Sequence, residues 1–309
     1  MRHPIPEHFQ LKSNWMPLYY LLHGLTIWLG CGFASYYLYT QYAEQTYLVY
    51  PLIALCSVVS GLGLFFIATL GHEGFHGCMN SNRTVSMVLG ILFSSLVPFF
   101  VSTGYTVLHW QHHQHTNTEK DPDYALYSRL NTFFSRLLIG PTTIMLLAYS
   151  RAFNLIFSPA RNGDIRYPFA PRKARLFAIL NILLTLAVTT LYGVLFYYDF
   201  TAALFMIGLP FAVVTTYFAM APYIEHSGTT LALESNTRTY TSRFFSIVLL
   251  GYNFHAEHHH YPSVQSHKLI ALHAYLKRNG LIAPEAVVED SFLRVIKVGA
   301  TGRLDFTGR

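Results

Sequence analysis

Five long stretches of this chain carry no charged residue, and they constrain its fold more than any other feature. A helix that crosses a bilayer needs roughly 20 apolar residues. Only 12% of the residues are charged and the mean hydropathy is +0.32, whereas soluble domains average about 25% charged residues. The sequence therefore predicts an all-α integral membrane protein. The charge-free stretches lie at about 17–39, 46–70, 84–107, 176–198 and 200–224.

The basic residues indicate how these stretches are oriented. The link between the first two stretches carries Glu44, and the link between the last two carries Asp199. All 21 Lys and Arg residues lie elsewhere. Basic residues concentrate on the cytoplasmic side of membranes, so we expect two hairpins with both links outside and the active site on the cytoplasmic face. The predicted organisation is one domain, 1–309, with transmembrane helices at about 17–39, 46–70, 176–198 and 200–224 and a cytosolic helical cap at about 71–175 and 225–309.

The remaining charge-free stretch, 84–107, is predicted to be re-entrant or interfacial. A full crossing there would put His72 and His109 on opposite faces of the bilayer, and a proline and a glycine within the stretch favour a bent path. A plain fifth span is the alternative. A less apolar stretch at about 137–159 is predicted to lie at the interface. The polar start has no cleavage site after a short apolar core, so we expect the first apolar run to stay as an anchor.

Ten of the 16 histidines fall in three short windows beside apolar stretches: HEGFH at 72–76, HWQHHQH at 109–115 and HAEHHH at 255–260. Residues three and four apart share one face of a helix. Neutral imidazole is the commonest protein ligand for metals, and three windows offer more nitrogens than one ion can use. The sequence therefore predicts a two-metal site. The predicted ligands are His72, His76, His109, His112, His113, His255, His258 and His259, with His226 as a ninth.

Nearby polar residues could orient these imidazoles. Carboxylates often accept the second N–H of a metal-bound histidine, although Asp121-Pro122-Asp123 suits simple turn chemistry equally well. His115 and His260 fall off the repeated spacing and are interpreted as supporting or surface residues. The three cysteines are unclustered and predict neither disulfides nor a CxxC metal site. The candidate orienting carboxylates are Glu73, Asp121, Asp123, Glu225 and Glu257.

The order HxxxH, HxxHH, HxxHH, with a membrane hairpin between the last two motifs, resembles the membrane fatty acid desaturase and hydroxylase superfamily. The motifs are His72-Glu-Gly-Phe-His76, His109-Trp-Gln-His112-His113 and His255-Ala-Glu-His258-His259. The runs HTNTEKDPDY and NFHAEHHHYPS are also similar to members of this group, and the resemblance covers roughly 46–275. The first motif differs from the longer HxxxxH of animal-type acyl-CoA desaturases.

This resemblance implies a non-heme enzyme with two Fe ions that uses O2 as co-substrate and two external electrons. The histidines would hold both irons, and the diiron centre itself would carry the chemistry without a separate acid or base. No HPGG motif of a fused cytochrome b5 occurs, so we expect a separate ferredoxin, rubredoxin or cytochrome b5-type donor. A fatty acid (acyl-lipid) desaturase is favoured. A hydroxylase or ketolase of carotenoids or other lipids and an alkene-forming fatty acid decarboxylase remain alternatives.

Three other classes are less compatible with the sequence. HEGFH also matches the HExxH zinc protease motif with Glu73 as base, but an intramembrane protease needs a third ligand, usually Asp, and no apolar stretch contains one. A metal transporter needs ionisable residues along its path, and only His23 lies within a span. The net charge of +6 and the pI near 9.1 suit anionic lipid headgroups, so no nucleic-acid partner is expected.

Overall fold

In a computed structural model that describes residues 3–158 and 167–305, the chain is almost entirely helical. Parts of the predicted cap, 159–166 and 306–309, and the last residue of the predicted interfacial stretch lie outside the described residues. The membrane-facing half contains α1 (Glu7–Gln10), α2 (Met16–Tyr42), α3 (Val49–Phe75), α4 (Arg83–Ser94), α5 (Ser102–His115), α6 (Pro122–Tyr127), α7 (Phe133–Phe157), α8 (Pro171–Tyr198), α9 (Phe200–Ala203), a π-helical turn (Leu204–Gly208) and α10 (Leu209–His226).

The C-terminal part completes the cap with short elements. Strands β1 and β2 pair in parallel, with Thr239 opposite Val288. The elements in order are β1 (Arg238–Tyr240), α11 (Arg243–Val248), α12 (His255–His260), α13 (Ser266–Arg278), β2 (Val287–Glu289) and α14 (Phe292–Thr301).

Within the described residues, four helices are long and apolar enough to cross a membrane, which confirms the predicted all-α membrane fold. They are α3, α7, α8 and the continuous helix formed by α9, the π turn and α10. Three of them match predicted spans. The set differs from the prediction at two places: α2 is 27 residues long but is not among the four, and α7 is. The many Tyr, Ser, Thr and Gln residues of α2 lower its hydropathy even though it carries no charge.

The stretch 84–107 is broken into two helices, so it is not a plain fifth span. Helix α4 has 12 residues and rises only about 18 Å, which is less than the ~30 Å hydrocarbon core. The turn that follows it is held by buried Asn181 of α8. The Asn181 carbonyl accepts hydrogen bonds from the Thr103 backbone (3.0 Å) and the Ser102 hydroxyl (3.2 Å), and its amide donates to Ser95 (3.1 Å).

Helix α7 is joined to the C-terminal part of the chain near its start, where Arg136 donates hydrogen bonds to the carbonyls of Gly299 and Ala300 in α14 (3.2 and 3.0 Å). Near its end, Leu155 belongs to the same hydrophobic cluster as Ala174 at the beginning of α8. The length and composition of α7 would allow it to cross a membrane, so its interfacial position stays a prediction.

Two close helix contacts require glycine and position the histidine-bearing helices. Gly74, between the two histidines of the first window, packs against Gly90 of α4, and a Cβ on either residue would lie 2.7 Å from the other's Cα. A Cβ on Gly104 would lie 1.7 Å from the backbone oxygen of Ala148. Because backbone cannot move aside as a side chain can, these glycines allow α3 and α5 to approach their neighbours.

Candidate metal centre

The three histidine windows lie on three helices that converge beneath the cap. The first window is the last turn of α3, which continues past the apolar run as the sequence predicts, with His76 as its C-terminal cap. The second is the C-terminal half of α5. The third forms α12, which ends just before Tyr261-Pro262, a pair typical of a helix stop.

Nine imidazoles meet in two adjoining groups, and within each group the candidate ligand atoms lie within 4.8 Å of one another. These nine are the eight window histidines predicted as ligands and His226, at the end of α10. The five-histidine group comprises His72, His76, His109, His113 and His258; the four-histidine group comprises His112, His226, His255 and His259.

Helices α5 and α12 each divide three of their four histidines between the two groups. The i, i+4 pair His109 and His113 of α5 joins the five-histidine group, and the intervening His112 joins the other. In α12 the assignment is reversed: His255 and His259 join the four-histidine group, and His258 joins the five-histidine group. Each helix therefore contributes to both groups.

Ring nitrogens of neighbouring histidines face each other at short range. The Nε2 atoms of His109 and His113 are 2.8 Å apart, and the corresponding distance is 3.1 Å both for His72 with His109 and for His113 with His258. An imidazole nitrogen binds a transition metal such as zinc at about 2.0–2.1 Å, so two nitrogens on one ion lie roughly 3 Å apart. This spacing fits shared metal ligands.

Hydrogen bonds on the far side of three rings leave Nε2 directed into the site. Asp121 accepts from His112 Nδ1 with both carboxylate oxygens (3.0 and 2.9 Å), and the Asn236 carbonyl accepts from His226 Nδ1 (3.1 Å). His109 Nδ1 lies 3.3 Å from the Tyr105 hydroxyl. Such partners fix the tautomer and orientation of a metal-binding imidazole.

The other predicted carboxylates lie farther from the imidazoles. Glu225 is 3.4 Å from His255 Nε2, Glu73 is 3.7 Å from His72 Nδ1, and Asp123 is 3.8 Å from His112 Nδ1. Glu73 instead accepts a hydrogen bond from the backbone of Ser266 (3.1 Å) at the start of α13.

Glu257 has a different role from the predicted one. It accepts a hydrogen bond from His273 Nδ1 (2.6 Å) and one from the Thr239 hydroxyl. His273 belongs to neither metal-site group, so Glu257 ties α12 to α13 and β1 rather than orienting a grouped imidazole. The position of residue 257 on α12 explains the difference, because it lies on the face opposite residues 255, 258 and 259. His115 and His260 likewise lie outside both groups.

The site is dry and keeps most of its imidazoles neutral. Eight of the nine histidines are buried, and His113 is half-buried. Burial, reinforced by neighbouring imidazoles, holds the pKa of His109 and of His259 well below the usual value. Burial would also lower the pKa of His112, but the charge and hydrogen bond of Asp121 outweigh it and raise that pKa to about 9.

Several buried ring nitrogens have no hydrogen-bond partner among the described residues: His72 Nδ1, His76 Nε2 and His255 Nε2. An unsatisfied buried polar atom costs about 1–3 kcal/mol. Two of these atoms, His76 Nε2 and His255 Nε2, are accounted for if metal ions accept their lone pairs, whereas His72 directs Nε2 toward His109 and leaves Nδ1 facing Glu73 at 3.7 Å. The residues present therefore fit a two-metal site.

Two supporting residues, Asn117 and Tyr252, were missed by the sequence reasoning. Asn117, at a positive φ of 65°, donates to the carbonyls of Thr230 and Asn236 (both 2.8 Å) and so fastens the loop after α5 to the loop after His226. Tyr252 packs edge-on against His72, with ring centroids 5.2 Å apart. An asparagine just after a histidine window was the available signal, since Asn tolerates the left-handed conformation.

Fold and site together define an almost entirely helical membrane protein with a buried histidine cluster compatible with a metal site. Residues 46–289 match the fatty acid desaturase family, and the chain belongs to that family.

Similar proteins include plant enzymes. The chain is 25% identical over 240 residues to an omega-3 fatty acid desaturase, chloroplastic, from Glycine max, covering 74% of this chain and 50% of that protein. It is 26% identical over 247 residues to an sn-2 acyl-lipid omega-3 desaturase (ferredoxin), chloroplastic, from Arabidopsis thaliana, with 74% and 51% covered. The chain thus spans about half the length of these relatives.

Proposed function

We propose that the chain is an O2-dependent non-heme diiron oxidoreductase that desaturates a fatty acyl chain, with the nine grouped histidines as iron ligands. The observation that carries this proposal is the division of nine converging imidazoles into a group of five and a group of four. When bound, a pair of irons supplies, with O2 and two electrons, the oxidising power that an unactivated C–H bond requires.

An apolar cavity beside the site supports a lipid substrate. It extends from Tyr105, whose ring stacks on His109, to Phe99 and Met145. The latter two residues also line a groove between α7, α8 and α10 that includes Tyr192. The groove lies among helices able to span a membrane, so a lipid tail could reach the cavity without passing through water.

The protein's own residues have three tasks in this proposal. Asp121 and the Asn236 carbonyl orient imidazoles; Phe99, Phe100 and Phe218 exclude water and hold the acyl chain extended beside Tyr105. Fixed apolar walls select which carbons approach the irons, because reaction demands close and oriented contact. The site would face the cytoplasm, since the basic residues flank the cap side of the helices, and electrons would come from a separate carrier protein.

The zinc protease alternative finds less support. Glu73, which would have to act as its general base, is buried and hydrogen-bonded to the backbone of Ser266. His72 and His76 share their surroundings with three further imidazoles, which a three-ligand zinc site has no use for. Metal analysis of the purified chain separates the two classes: iron near two per chain supports the proposal, and zinc near one per chain would overturn it.

Lipid profiling of a host that expresses the chain tests the reaction itself. We expect a new double bond in membrane acyl chains, absent with His258→Ala and retained with His267→Ala, whose ring lies outside both groups. A new hydroxyl or keto group would instead identify a hydroxylase or ketolase, and a shortened terminal olefin would identify a decarboxylase. Unchanged lipid conversion by His258→Ala would refute the site.

A further inference from the structure

One aromatic side chain connects the buried histidines with the cap surface. Trp110 follows His109 on α5 and is only partly buried. Its ring lies 5.8 Å from the ring of His76, centroid to centroid, at an interplanar angle of 37°. His76 is itself 7% exposed and belongs to the five-histidine group. Trp110 thus offers a π-system in contact with both the surface and a candidate iron ligand.

Two cationic side chains lie close to the turn that follows His76. The turn that follows His76 passes through Gly77, where a Cβ would lie 3.6 Å from the Lys12 ammonium and 3.9 Å from the Arg83 side chain. Lys173 extends the group by donating to Thr84 (3.2 Å), the neighbour of Arg83. We define Lys12, Arg83 and Lys173 as the basic rim.

The basic rim has no internal counter-charge. In the described parts of the chain, neither Lys12, Arg83 nor Lys173 forms an ion pair with a carboxylate. The guanidinium of Arg83 lies over the Phe169 ring at 5.8 Å, and Arg83 and Lys173 are exposed. Unpaired surface cations around an aromatic residue attract a partner of opposite charge and accelerate its association.

We propose that the basic rim forms the docking site for an acidic one-electron carrier protein of the ferredoxin type, with Trp110, which contacts His76, as the electron's entry to the five-histidine group. The inference rests on the proposed function, in which removal of two hydrogens from the acyl chain and reduction of O2 to two waters consume two electrons and two protons. Two reduced carriers supply these electrons one at a time. Tunnelling slows steeply with distance, so a ring between the surface and His76 shortens the step.

The binding test uses the full chain in lipid nanodiscs and a plant-type [2Fe–2S] ferredoxin as the probe. We expect the double variant Lys12→Glu/Arg83→Glu to weaken ferredoxin binding by about tenfold or more at low ionic strength and to remove its salt dependence. The matched control is Lys277→Glu/Arg278→Glu on α13, which changes the net charge equally and should stay within about twofold of the unsubstituted chain. Equal weakening by both variants, or no ferredoxin binding to the unsubstituted chain, would overturn the docking site.

The electron-entry test separates Trp110 from the cations. With Trp110→Leu, we expect ferredoxin to bind with unchanged affinity, while the rate at which bound reduced ferredoxin is oxidised falls about tenfold; Trp110→Phe should restore part of that rate. An unchanged rate with Trp110→Leu would remove Trp110 from the path.

Dithionite bypasses the carrier and keeps the two proposals distinguishable. The two double charge variants should convert lipid at the unsubstituted rate with dithionite. A different outcome is that the unsubstituted chain fails to convert lipid with dithionite, while Lys12→Glu/Arg83→Glu still weakens ferredoxin binding and the control does not. In that case the proposed function is wrong and the docking site stands.

Discussion

Replacement of Asp121 by Asn tests whether the four-histidine group is a metal site. Asp121 accepts from His112 Nδ1 with both oxygens and also from the backbone of Asn117 (2.9 Å). An amide has one acceptor oxygen instead of two and carries no charge. It therefore leaves one of these donors unpaired and removes the charge that raises the pKa of His112.

We expect a large loss of metal affinity at the four-histidine group and a small loss at the five-histidine group. Loss of a carboxylate that orients a metal-bound imidazole costs about 10–100-fold in metal affinity, or roughly 1.4–2.7 kcal/mol. Of the nine grouped imidazoles, His112 is the one that hydrogen-bonds to Asp121, and it belongs to the four-histidine group. We expect Asp121→Asn to retain one tightly bound iron per chain and to bind the second 10–100-fold more weakly.

The assay is an iron titration of metal-free protein against a chelator of known affinity. Asp199→Asn is the matched control, because Asp199 also caps a helix, by accepting from the Ala202 backbone (2.9 Å), but lies at the link between α8 and α9. Asn caps helices about as well as Asp, so neither variant should lose its cap. Two irons bound with unchanged affinity by Asp121→Asn would refute the assignment of His112 as an oriented ligand.

Three further outcomes follow from the site and its packing. In the metal-free protein, the lowered pKa values of histidines such as His109 give stability that is lost as the pH falls below about 6.5. The raised pKa of His112 gives stability that is lost as the pH rises from about 6.5 through about 9. Denaturant titration across pH should therefore show a maximum in the free energy of unfolding near pH 6.5, with a slope of about 1.4 kcal/mol per pH unit for each proton. Gly104→Ala should lower the melting temperature and iron content, because its Cβ would meet the Ala148 backbone, whereas Gly193→Ala, with nothing within 4 Å, should be neutral or stabilise by up to about 1 kcal/mol. Chelation of iron should lower the melting temperature, since a ligand present at 100 times its Kd stabilises by about 2.7 kcal/mol per site.

Local patterns predicted the elements that carry the site. The HxxxH spacing at the end of an apolar run placed His72 and His76 on one turn of α3, and the Tyr261-Pro262 pair predicted the end of α12. The break in 84–107 followed from the requirement that His72 and His109 share one side of the membrane. These predictions succeeded because helix periodicity and membrane thickness act locally, without knowledge of distant contacts.

Features set by tertiary packing were not accessible in this way. The partner of Glu257 is His273 on a different helix, and neither the sequence spacing nor the charge of Glu257 distinguishes that histidine from the grouped imidazoles. The positions of α2 and α7 in the fold depend in the same way on the elements that pack against them. Helix α7 is apolar enough to cross a membrane, yet Arg136 at its start is satisfied by α14.

The division of the histidines shows why a motif alone cannot assign ligands to metals. In HxxHH, the residues at i, i+3 and i+4 lie on one broad face of a helix. Viewed along the helix axis, residues i+3 and i+4 lie about 60° and about 40° to opposite sides of residue i. The helices packed against that face determine which of its histidines joins which group. Because α5 gives a pair to the five-histidine group and a single imidazole to the other, while α12 does the reverse, identical motifs occupy inequivalent places. Together α5 and α12 supply three imidazoles to each group. The groups differ in number because the end of α3 adds His72 and His76 to one, whereas α10 adds His226 to the other, the group that also includes His112, the histidine held by Asp121.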